Sequence, residues 1–334
     1  MHTLAPPPES VLDAHTGAPR IGSFRGALPR VDLASVGRGR LWRFAHHKRW
    51  MYVAIASDEF YIGVAVVHLG YVASAFAFVF ERTAMRLRVD RSSLGPPFVC
   101  SVTDTTGEGC AARYRLPGTS VLIERSPGTA DYAVQVLMED LNLHARLEGA
   151  SAPPPLAAIA SVPGGLLNAT EKRALLRVTG GVTVCGRRHG LDGALAGFDY
   201  TQGLLARHTA WRWAFALGRA RGGERVGLNL VEGFVGEPEC AVWIDDELFP
   251  LGEGRFEFDR DRPLAPWRVR TVDDRVDLRF EPGGMHAERR SLGLIRSRFV
   301  QPVGLFHGRI APAGQGELAL ERVVGVTEDQ DMLW

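Results

Sequence analysis

The sequence predicts an all-β protein of two tandem antiparallel β-barrel or sandwich domains with few short helices. Apolar and polar residues alternate with period two through much of the chain, turn residues interrupt that alternation at short intervals, and one Pro/Gly-rich segment stands near the middle. At 334 residues the chain is long enough for two domains.

Taken in order, strand-like runs cover 49–57, 60–68 and 71–80. Residues 62–80 are apolar enough to approach the length of a membrane span, but His68-Leu69-Gly70 breaks them at the middle, so they read as two strands and a tight turn. Residues 131–139 follow, and then Leu141, Leu143, Ala145 and Leu147 alternate with Asn142, His144, Arg146 and Glu148, one face for a core and one for water. Segment 149–165, with Pro153-Pro154-Pro155 and Pro163-Gly164-Gly165, reads as a linker. Asn168-Ala169-Thr170-Glu171 looks like the capping start of a short helix reaching about Leu176. The expected organisation is therefore a barrel over 1–150, a linker with a short helix over 151–180, and a second barrel over 181–334. That second half holds strand-like runs at 181–186, 211–217 and 225–231, and alternation at Phe256/Phe258 and Val276/Leu278/Phe280.

Composition excludes several classes of function. The 39 basic and 38 acidic residues leave a net charge of +1, without the basic surface that a nucleic-acid or anionic-membrane protein is built around. All the basic residues are Arg except Lys48 and Lys172, so a Schiff-base mechanism has two candidates. No GxxxxGK[ST] loop or helix-opening GxGxxG occurs, and Cys100, Cys110, Cys185 and Cys240 have no zinc spacing. His46-His47 is a poor chelate because neighbouring side chains on a strand point apart. No metal or cofactor is expected. The N-terminus lacks a signal-peptide pattern, so a soluble cytoplasmic protein is expected.

Chemical promise concentrates between His189 and Glu232, where His189, Asp199, Tyr200, His208, Trp211, Arg212, Trp213, Asn229 and Glu232 stand. On a strand, Trp211 and Trp213 share one face as an aromatic wall and Arg212 points to the other. Each residue also has a plain structural reading: Trp as core, Arg212 paired to an acid, His189 in a loop, Asp199 and Glu232 at turns. Read functionally, Asp199 buried among Trp211, Trp213 and Tyr200 is a candidate general acid, with its pKa raised by desolvation. The rings would stabilise a developing carbocation, and His189, His208 or Tyr200 would orient water or relay the proton.

The strings Asp199-Tyr200-Thr201-Gln202-Gly203, Trp211-Arg212-Trp213-Ala214-Phe215, Gly227-Leu228-Asn229-Leu230 and Gln301-Pro302-Val303-Gly304 occur in that order. With them stand Lys48-Arg49-Trp50-Met51-Tyr52, Leu69-Gly70-Tyr71, Trp243-Ile244-Asp245 and the closing Glu328-Asp329…Trp334. Together they resemble, over nearly the whole chain, the bacterial domain-of-unknown-function family numbered twenty-eight oh four. The resemblance implies distant kinship with the carotenoid hydratase group. Members of that group have two calycin-like barrels, and some hydrate double bonds or shape terpenoid and polyketide products without a cofactor. The resemblance thereby narrows the expected fold to two tandem calycin- or lipocalin-like β-barrels. Their Tyr-x-Asp and His-x-Trp pairs are not reproduced here; Asp199-Tyr200 and Trp211-Arg212-Trp213 are the nearest equivalents.

Two functions stay open. One is a binder of an apolar small molecule, a lipid or isoprenoid, held in a barrel by Trp211, Trp213, Arg212, Asn229, Glu232 and Gln301. The other is a cofactor-independent hydratase, isomerase or cyclase with Asp199 as acid.

Overall fold

The period-two alternation becomes two curled antiparallel sheets in the structure, a computed structural model that describes residues 4–33, 36, 38–292 and 295–333. Trp334 lies outside the described residues. The first sheet contains β1 (Gly22–Arg25), β2 (His47–Ala56), β3 (Phe60–His68), β4 (Ala73–Glu81), β5 (Arg86–Gly95), β6 (Cys100–Val102), β7 (Ala111–Leu116), β8 (Thr119–Arg125), β9 (Tyr132–Met138), β10 (Leu141–Glu148), β11 (Leu156–Ser161), β12 (Leu167–Val184), β13 (Arg187–Gly190) and β14 (Leu195–Leu204). Its main path is β5-β4-β3-β2-β14-β12-β10-β9-β8-β7-β6.

The second sheet contains β15 (His208–Arg219), β16 (Arg225–Gly233), β17 (Ala241–Ile244), β18 (Glu247–Pro250), β19 (Gly254–Glu257), β20 (Trp267–Thr271), β21 (Val276–Leu292), β22 (Ile295–Ile310) and β23 (Leu318–Leu333). It is ordered β18-β17-β16-β15-β23-β22-β21-β20-β19. One short α-helix, α1 (Arg40–His46), precedes β2. No helix of the described residues is long and apolar enough to cross a membrane.

Strands β2, β3 and β4 are buried on both faces. Met51, Val53, Ile55, Ile62, Val64 and Val66 point into the core inside the first sheet. Tyr52, Ala54, Tyr61, Ala65, Phe76, Phe78 and Phe80 point to a second core shared with the other sheet. A strand with water on neither side needs apolar residues at every position, which is why 62–80 resembles a membrane span. By contrast β10 keeps one wet face: Leu141, Leu143 and Leu147 are buried while Asn142, His144 and Arg146 are exposed, as the alternation predicts.

The segment 151–180 differs from its expected form. Pro163-Gly164-Gly165 is the turn of a hairpin, closed by Gly165 N donating to Val162 O at 2.9 Å, with Gly164 at φ +76°. It joins β11 to β12, so neither a linker nor a helix forms there. Strand pairing on both edges of β12 outweighs the local capping signal, because tertiary burial overrides propensity. The sheets part between Leu204 and His208: residues 195–204 pair with β2 and complete the first sheet.

The inside of the first sheet is filled. Val11, Leu12, Leu28, Val31 and Leu33 of the N-terminal segment join its core. A buried ion pair anchors that segment. Glu171 accepts from Arg173 Nε at 2.6 Å, from Leu28 N at 2.7 Å and from Thr106 Oγ1 at 2.5 Å. The Arg173 guanidinium lies over the rings of Tyr132 and Phe198, 5.8 and 5.6 Å from their centroids. Breaking one partner of a buried pair strands the other charge. Glu171→Gln is therefore expected to lower the unfolding free energy by about 3–5 kcal/mol, measured by urea denaturation; a change under about 1 kcal/mol would show that the pair does not anchor the segment.

Candidate functional site

A cavity of about 310 Å³ opens between the two sheets, not inside either curl. Strand register builds its first wall. One cross-sheet row runs Lys172, Asp199, Tyr52, Ala65, Phe76, and the next runs Thr170, Thr201, Trp50, Val67, Ser74. Residues two apart on a strand share a face, so both rows project the same way. The second sheet faces them with Trp211 and Trp213 of β15, Phe299 and Gln301 of β22, and Glu328 and Gln330 of β23. Rings from the two sheets meet across the gap. Trp50 stacks on Trp211 at 5.9 Å, and Tyr52 meets Trp213 edge-on at 5.3 Å.

At one side of the cavity, Lys172 Nζ sits 2.7 Å from Asp199 Oδ1 and 3.1 Å from Glu239 Oε2. A 3₁₀ turn between β16 and β17, Glu237–Glu239, delivers Glu239. Burial alone would lower the Lys172 pKa; the two carboxylates outweigh it and hold the ammonium above its ordinary range. Asp199 also accepts from Thr201 Oγ1 at 3.0 Å and from Trp50 Nε1 at 3.4 Å. Asn168 Nδ2 donates to Glu239 Oε1 at 2.9 Å.

A second carboxyl, Glu328, makes no ion pair among the described residues. It accepts from Trp211 Nε1 at 2.7 Å and Gln301 Nε2 at 2.8 Å. Burial pushes its pKa up to about 7; those two donors and the Lys172 charge oppose the rise, and the Asp199 charge adds to it. Among the described residues, the buried amide oxygens Asn168 Oδ1 and Gln301 Oε1 have no hydrogen-bond partner, and both residues line the cavity.

Of the residues singled out from the sequence, Asp199, Trp211, Trp213 and Gln301 line the cavity. Asp199 differs from its expected role: an ammonium stands beside it, where an apolar surround was anticipated. Tyr200 alternates to the opposite face of β14, where its hydroxyl donates to Thr103 O at 2.8 Å. His189 is at the far end of the sheet, bonded to Glu59, and His208 pairs with Asp331 at the surface. Arg212 points away from Trp211 toward Asp329 and Glu232, as β-strand alternation requires, so neither Arg212 nor Glu232 lines the cavity. Asn229 stands behind the wall, accepting from Trp213 Nε1 at 2.8 Å and donating to Glu239 O at 2.6 Å.

The site also contains Glu328, Lys172, Glu239, Trp50, Tyr52 and Phe76, which the sequence reading did not place there. One sequence signal pointed to two of the wall's polar residues: the only two lysines of the chain are both buried on it. Lys48 Nζ donates to Leu69 O at 2.8 Å beside the Tyr71 ring, and burial draws its pKa down to about 7.

A family model described as a domain of unknown function, DUF2804, matches residues 7–334, and the chain belongs to that family. No curated protein sequence matches it. Among solved structures, CghA, determined with Sch210972, is similar at a TM-score of 0.56 and 14% identity, covering 98% of this chain and 97% of that one. A candidate AttH from Nitrosomonas europaea gives 0.52 and 12%, covering 89% and 98%. Kievitone hydratase from Nectria haematococca gives 0.49 and 11%, covering 93% and 97%. At such identities the likeness to CghA and the candidate AttH is one of fold.

Glu328 makes the stability of the protein depend on pH. Its folded pKa of about 7 lies above the ordinary 4.5, so the folded state binds this proton more tightly than the unfolded chain. Its contribution is complete below about pH 4.5 and is lost as pH rises through about 7, some 3 kcal/mol in all. Urea titrations from pH 4.5 to 8 should show the wild type losing about this much relative to Glu328→Gln. Parallel curves would mean that Glu328 ionises normally.

Proposed function

We propose that this member of the DUF2804 family encloses a mostly apolar small molecule of the lipid or isoprenoid class between its sheets. In this reading Glu328 transfers a proton to or from that molecule, as in a cofactor-independent hydratase, isomerase or cyclase. The observation that carries the proposal is a carboxyl with a pKa of about 7 buried against an aromatic cavity wall. A general acid works best when its pKa lies near the working pH, since it is then both protonated and able to release the proton.

The rest of the lining supports the same chemistry. Protonation of an alkene or polarised carbonyl leaves positive charge on the substrate. Trp50, Trp211, Trp213, Tyr52 and Phe76 line the cavity, and a ring that turns its π-face to that charge would attract it. Among the described residues, the lining holds one ammonium, Lys172, against the carboxyls of Asp199, Glu239, Glu288 and Glu328. That balance favours a neutral substrate that gains positive charge over a fatty-acid anion. Asn168 and Gln301 add polar groups to the lining, but their amide oxygens are sealed from the cavity, so a ligand hydroxyl would have to turn an amide to reach them. Asp199, held by Lys172, serves as an electrostatic wall, and Asn229 braces Trp213 from behind. The CghA structure determined with Sch210972 supports the idea that this fold can hold a ligand.

The second reading is carriage without conversion, favoured by the largely apolar lining. The two are separated by the molecule that co-purifies with the protein from its own host, identified by native mass spectrometry. If Glu328 is the acid, the wild type yields a hydrated, isomerised or cyclised product. Glu328→Gln should retain the unconverted molecule, with turnover down by about 10²–10⁴-fold and binding intact. Equal turnover by Glu328→Gln removes it as the acid, and a bound molecule that neither protein alters establishes carriage.

A further inference from the structure

Eight large apolar side chains stand exposed among the described residues, and four of them, Leu41, Phe44, Leu94 and Phe98, lie on one rim of the first sheet. Leu41 and Phe98, each 86% exposed, are the most exposed of the eight. Backbone connections place all four together. The Phe44 ring meets that of Tyr71, in the turn between β3 and β4, at 6.3 Å. Leu205 N, just past β14, donates to His46 O at the end of α1. Gly95, at the end of β5, pairs with Ala73, at the start of β4. From there the 3₁₀ turn Pro97–Val99 carries Phe98 toward Cys100, whose Sγ lies 3.8 Å from Val67 O near the end of β3.

The same rim is basic. Between Asp32 and Asp58 the sequence has no acidic residue and five basic ones: Arg38, Arg40, Arg43, Lys48 and Arg49. Lys48 is buried and Arg49 reaches across to Val102 O, which leaves Arg38 and Arg40 exposed and Arg43 half-buried, donating to Leu33 O at 3.5 Å, on α1 and its approach. Arg38 lies over the Trp42 ring at 5.3 Å. The rim is also continuous with the cavity, because Leu69, Tyr71, Val72 and Leu94 line it.

We propose that this rim docks on an anionic bilayer surface. Leu41, Phe44 and Phe98 enter the headgroup–acyl boundary, and Arg38, Arg40 and Arg43 meet the lipid phosphates. A seven-residue helix is far too short to span, but basic residues flanking exposed Leu and Phe suit an interfacial position. The chain's net charge of +1 does not oppose this, because surface attraction acts within about a Debye length and is set by the local charges. Docking holds whatever the cavity does. If the cavity takes an apolar molecule, the mouth beside Leu94 would open onto the phase in which that molecule is dissolved.

The test is flotation of the full chain with vesicles of phosphatidylcholine, alone or with about 30% phosphatidylserine, in low salt and in about 0.5 M NaCl. The expected result is binding to the anionic vesicles at least about tenfold tighter than to the neutral ones, and lost at high salt. The double variant Leu41→Asp/Phe98→Asp should bind at least about tenfold more weakly with an unchanged circular dichroism spectrum, and Arg38→Gln/Arg40→Gln/Arg43→Gln should abolish the lipid selectivity. Equal binding to both vesicles, no binding, or a concentration-dependent dimer dispersed by Leu41→Asp/Phe98→Asp would each overturn the proposal. The dimer would assign the rim to a second copy of this chain.

Discussion

The architecture depends on a wall with no wet side. Strands β2, β3, β4 and β14 and residues 167–176 of β12 separate the core of the first sheet from the space shared with the second. Every polar group on them must find its partner inside the protein, since a buried polar atom without one costs free energy that apolar burial cannot hide. On β12 the solution differs by face. Glu171 and Arg173 satisfy each other within the first curl, and on the opposite face Asn168, Thr170 and Lys172 reach Glu239, Tyr200 O and Asp199. The site is thus the place where this wall's inward-facing polar residues meet those of the second sheet.

Lys172 and Glu328 then have different electrostatic fates within one cavity. An ammonium with two carboxylates beside it remains charged despite full burial, because attraction in a low-dielectric setting exceeds its desolvation. Glu328 receives only neutral donors, Trp211 Nε1 and Gln301 Nε2, and two such bonds recover part of what ionisation loses on burial. Lys172 touches Asp199 and Glu239 directly, whereas it reaches Glu328 only through space and opposes the rise of its pKa less than burial drives it. Environments that push two kinds of titratable group apart are what acid–base sites require, and here strand register sets the separation.

Where a strand had one dry and one wet face, its pattern was legible, as on β10 and in the Trp211-Arg212-Trp213 alternation of β15. The hairpin in 62–80 was legible too, because His68-Leu69-Gly70 marks its turn. β12 was not: Asn168-Ala169-Thr170-Glu171 satisfies a local helix rule, and its strand form comes from β11 and β14 pairing on either edge. Pro163-Gly164-Gly165 signalled a turn, yet turn and linker share one composition. The aromatic half of the site was visible around Trp211, whereas Lys172, Glu239 and Glu328 lie on three elements whose meeting is a matter of long-range register. Of the residues clustered in sequence around Trp211, Arg212 and Glu232 fell on the far side of the strands that carried the signal. Tyr200 did the same on β14 beside Asp199.

Composition hid one further property by averaging. A net charge near zero describes a chain whose acids and bases are evenly mixed, and most of this surface is of that kind, with Arg268 against Asp277 and Arg113 against Glu124. Two regions depart from it in opposite directions. Among the described residues the cavity gathers four carboxyls against one ammonium, and the adjoining rim gathers arginines with no acid on the helix that bears them. Such neighbours, a few residues' width apart, cancel in any sum over the chain. A ligand or a surface approaching one of them experiences that local field, because at physiological salt the screening length is about 8 Å. The two proposed recognition roles therefore both rest on departures from the mean charge, which the mean itself does not reveal.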